Sequence, residues 1–98
     1  MGSNVEYLNA EDELRGDLNN TGIEFLLTDL DMALTFMDIA AISQIQETVD
    51  RNHENARDAY DTVLRLLQNL TPDTDQRSAI DHRMGILKAR LEAVGCQF

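Results

Sequence analysis

The chain has 98 residues, 43% of them hydrophobic, and a formal net charge of −10, which bounds it to one globular domain with a modest core. That charge argues against nucleic acid or an anionic membrane as partner, because both are held mainly through Lys and Arg. A single cysteine, Cys96, excludes an internal disulfide framework, and few glycines, one proline and abundant Leu, Ala, Glu and Arg favour helix over sheet.

Residues 1–20 form an arm or a short docking helix in this reading. Tyr7, Leu8, Leu14 and Leu18 have roughly helical spacing, while Gly16 and Asn19-Asn20 interrupt it. Met1-Gly2-Ser3-Asn4-Val5-Glu6 lacks the basic-then-apolar order of a secretory signal, and no stretch reaches the roughly 18 apolar residues of a membrane span. The expected location is the cytoplasm.

A first long helix is expected from Thr21, which has Glu24 three residues on, the spacing of a capping box. Ile23, Leu26, Leu27, Leu30, Leu34, Met37 and Ala41 form one apolar stripe at the 3.6-residue period. Phe25, Met32, Phe36 and Ile39 fall outside it and form a second stripe, with Asp29 the one charge inside the apolar arc. A carboxylate there must pair, reach the rim or stay protonated, and Arg57 and Arg83 are the candidate partners. Residues 1–42 hold nine acids against one base, Arg15. The helix therefore offers either a match for arginine-bearing neighbours or an acidic, apolar-rimmed docking edge at Glu24, Asp31 and Asp38.

Ser43 and Gln46 repeat the capping-box spacing, and a second helix is expected from about residue 46 to 70. Val49, Ala56, Val63 and Leu70 recur every seven residues, with His53, Tyr60 and Leu67 between them. Glu47–Arg51 and Asp61–Arg65 have the i,i+4 spacing of surface ion pairs. The third helix is expected at Thr71-Pro72-Asp73, with Thr71 as cap and Pro72 at the first helical position. Ile80, Met84, Leu87, Leu91 and Val94 line its apolar face, and Gly95 ends it. Short connections make consecutive helices antiparallel. The fold class is all-α: an up-down-up three-helix bundle over 21–98, with residues 1–20 as a short N-terminal helical extension or arm.

Chemistry is sparse. Asp50-Arg51-Asn52-His53 has carboxylate-x-x-His spacing once, without the second copy that a helical metal centre uses. Cys96 lies too near the end of the sequence to sit in the enclosed setting of a nucleophile. No catalytic residue, cofactor or metal is expected, and the chain reads as a non-enzyme. The segment Glu54-Asn55-Ala56-Arg57-Asp58-Ala59-Tyr60-Asp61-Thr62-Val63-Leu64 resembles the small–aromatic helices of tetratricopeptide and microtubule-interacting-and-transport modules, through Ala56, Ala59 and Tyr60. The resemblance implies a module that holds a peptide or helix in a groove between its own helices. The function expected is protein–protein interaction or homo-oligomerisation, through a partner-binding set of Phe25, Asp29, Met32, Phe36 and Ile39. The alternative is an acidic inhibitor or antitoxin-like protein occupying a basic site.

Overall fold

The computed structural model describes the backbone of residues 2–98 and the side chains of residues 10–98. Three helices follow one another: α1 (Gly2–Ile42), α2 (Gln46–Leu67) and α3 (Thr74–Ala93). All three pack together as the expected all-α three-helix bundle. The molecule is 67 Å long and about 20 Å across, because α1, with 41 residues, is nearly twice as long as its neighbours. Its N-terminal part therefore projects past the end of α2.

The core runs up the middle in heptads. Ile23, Leu26, Leu30, Ala33 and Met37 of α1 meet Ala56, Ala59, Tyr60 and Val63 of α2 and Ile80, Met84, Leu87 and Leu91 of α3. The alternating three- and four-residue steps keep one seam of each helix facing inward, as in left-handed bundles. Each fully buried Leu, Ile or Val contributes about 1.5–3 kcal/mol relative to exposure, so this column holds the bundle closed. Leu27 and Leu34 pack against it from the α3 side of α1. On that side Arg83 binds Asp31 at 2.7 Å and Arg90 binds Asp38 at 2.9 Å.

Several helix ends differ from the sequence expectation. α1 passes through Gly16, Asn19 and Thr21 unbroken, so no capping box forms at Thr21 and Glu24. Asn19 is a tether instead: its side chain accepts from Thr71 N at 2.7 Å and donates to Thr71 O at 3.0 Å. That link anchors the α2–α3 connection to α1 and offsets the helix-propensity cost of Asn. α2 starts after Ile45 with no side-chain cap. Ser43 lies two residues too early, and its hydroxyl accepts from Ile45 N within the turn. The cap of α3 is Asp73, not Thr71, in a complete capping box with Gln76, and Pro72 precedes it. Gly95 does end the last helix, at φ +94°. Its N–H donates to Glu92 O and that of Cys96 to Leu91 O, the two bonds of a Schellman motif.

Candidate interaction face

The second stripe of α1 lies outside the bundle. Phe25, Met32 and Ile39 are 55%, 50% and 40% exposed, while Phe36, between them, packs against the core. Leu14 and Leu18 continue the apolar side toward the N-terminus at 59% and 63% exposure. They do not cover the stripe. Tyr7 and Leu8, the other residues expected to cover it, lie outside the described side chains. A helix whose apolar arc exceeds what its neighbours bury leaves the remainder in water.

Asp29 is half-buried at the edge of this face, but the expected ion pair does not form. Arg83 is taken by Asp31, and Arg57 by Asp61 at 3.1 Å. Among the described residues no base lies within ion-pair distance of Asp29. The same competition removes Asp61–Arg65, because Asp61 serves Arg57. Of the three carboxylates read as an acidic edge, Asp31 and Asp38 are held by α3, and Glu24 has no ion-pair partner among the described residues.

The face has a second wall that sequence reasoning missed. Between α1 and α2 lies a groove of about 350 Å³, lined by apolar atoms of Gly22, Phe25, Leu26, Leu66 and Leu70. Gly22 lies at its floor, where an added Cβ would sit 2.8 Å from a Leu70 methyl and displace that side chain. Leu66 belongs to a line on α2 that continues through Thr62, Ala59, Asn55 and Asn52 at alternating four- and three-residue steps. All five are uncharged, whereas the rest of that helix's outer surface is densely charged. Asn52 is buried and donates to Thr48 O at 2.8 Å, so its polarity is satisfied within α2. This charge-free lane was the available signal.

The opposite end of the bundle carries a different feature. The chain after α3 folds back over α2, where Arg57 donates to Gln97 O at 2.7 Å and to Cys96 Sγ at 3.3 Å. The Phe98 ring lies 3.8 Å under the Arg57 guanidinium and edge-on to Tyr60. The Asp61 carboxylate and Cys96 raise the pKa of Arg57 above its already high ordinary value. His53 is half-buried in an adjoining cleft with Met37, Arg90 and Val94. Among the described residues no three His, Cys, Asp or Glu side chains converge as metal ligands, and no helix is long and apolar enough to cross a membrane.

No protein-family model, curated protein or solved structure matches the chain. The three residues that carry the helical-module resemblance, Ala56, Ala59 and Tyr60, are buried. All three belong to the core cluster formed with α1 and α3.

Proposed function

We propose that the chain is a non-enzymatic interaction module of the cytoplasm, docking onto another protein or a second copy of itself through the outer face of α1. The observation that carries this is the row Phe25, Met32 and Ile39, each 40% exposed or more on a bundle whose own core is complete. Apolar side chains at seven-residue spacing offer a helical seam to a matching helix. Nothing in the described fold uses them. The pairing of Asp31 and Asp38 within the chain takes up two of the three carboxylates of the edge on which the inhibitor reading rests.

The test is the stability of Phe25→Asp and Met32→Asp in dilute solution, where the chain stands alone. Both should keep full helicity and unfold within about 0.5 kcal/mol of the wild type, as exposed substitutions do. A loss of several kcal/mol would assign the stripe to the core and remove the basis for docking. Phe36→Ala is the contrasting control; because Phe36 packs on the core, it should cost on the order of 2 kcal/mol.

A further inference from the structure

We draw no further inference here: the strongest candidate, the exposed apolar stripe of α1 at Phe25, Met32 and Ile39 with the groove beside it at Leu66 and Leu70, carries nothing beyond the docking already proposed, because nothing in the structure shows what covers it.

Discussion

At the scale of single residues, three glycines of the described chain behave in three ways. Gly85 lies in the exposed interior of α3, and a Cβ added there would meet nothing within 4 Å, so only its backbone freedom matters. Gly85→Ala should stabilise by about 0.5–1 kcal/mol, raising the melting temperature by several degrees. Gly95 sits at φ +94°, where a side chain is strained; Gly95→Ala should destabilise by about 1 kcal/mol and loosen the segment after it. Gly22→Ala gains helix propensity but drives a Cβ to 2.8 Å from Leu70, and the flexible Leu70 tip must give way. Its stability should change little, while the apolar groove beside Phe25 narrows. Thermal unfolding of the three variants separates these cases.

Arg57 is the other residue with a specific consequence. It gathers Asp61, Cys96, the Gln97 carbonyl and the Phe98 ring. Its pKa is raised, so the stabilisation linked to its charge is fully present below its ordinary pKa. That contribution would be lost only as pH rises through the still higher folded value. The clasp of Cys96–Phe98 should therefore be indifferent to ordinary alkalinity. Arg57→Ala should release it, and the rate of Cys96 modification by a thiol reagent should rise several-fold. An unchanged rate would mean that the Schellman turn alone holds the segment.

At the scale of elements, the helices were legible where heptads and caps coincide and illegible where a tertiary bond overrides local propensity. Ile80, Met84, Leu87 and Leu91 are buried as their spacing requires, and Gly95 ends α3 as its position requires. Asn19-Asn20 and Thr21 read as a break because Asn and Thr favour caps. The bonds between Asn19 and Thr71, 52 residues away, could not be seen in local pattern. The same pattern misplaced the α3 cap, since Thr71 is engaged by Asn19 and Asp73 does the capping. Asn19→Ala should then cost about 1 kcal/mol despite alanine's better helix propensity, and hydrogen exchange should quicken in residues 69–73. The outer stripe was read from α1 alone. Its companion lane on α2 went unseen because it is marked by missing charge rather than by apolar residues.

At the scale of the whole molecule, the chain is a rod 67 Å long, and the proposed docking rests on the α1 stripe that its described residues leave uncovered. The bundle closes without Phe25, Met32 and Ile39, so under the proposed docking their burial would add stability that the lone chain lacks. Urea unfolding of wild type and Met32→Asp at about 1 µM and about 100 µM tests this most directly, because association adds stability that depends on protein concentration. The wild-type midpoint should rise with concentration, while that of Met32→Asp should stay fixed at the dilute wild-type value. A Met32→Asp midpoint far below the dilute wild type, or one that rises in parallel with it, would contradict a docking face on α1.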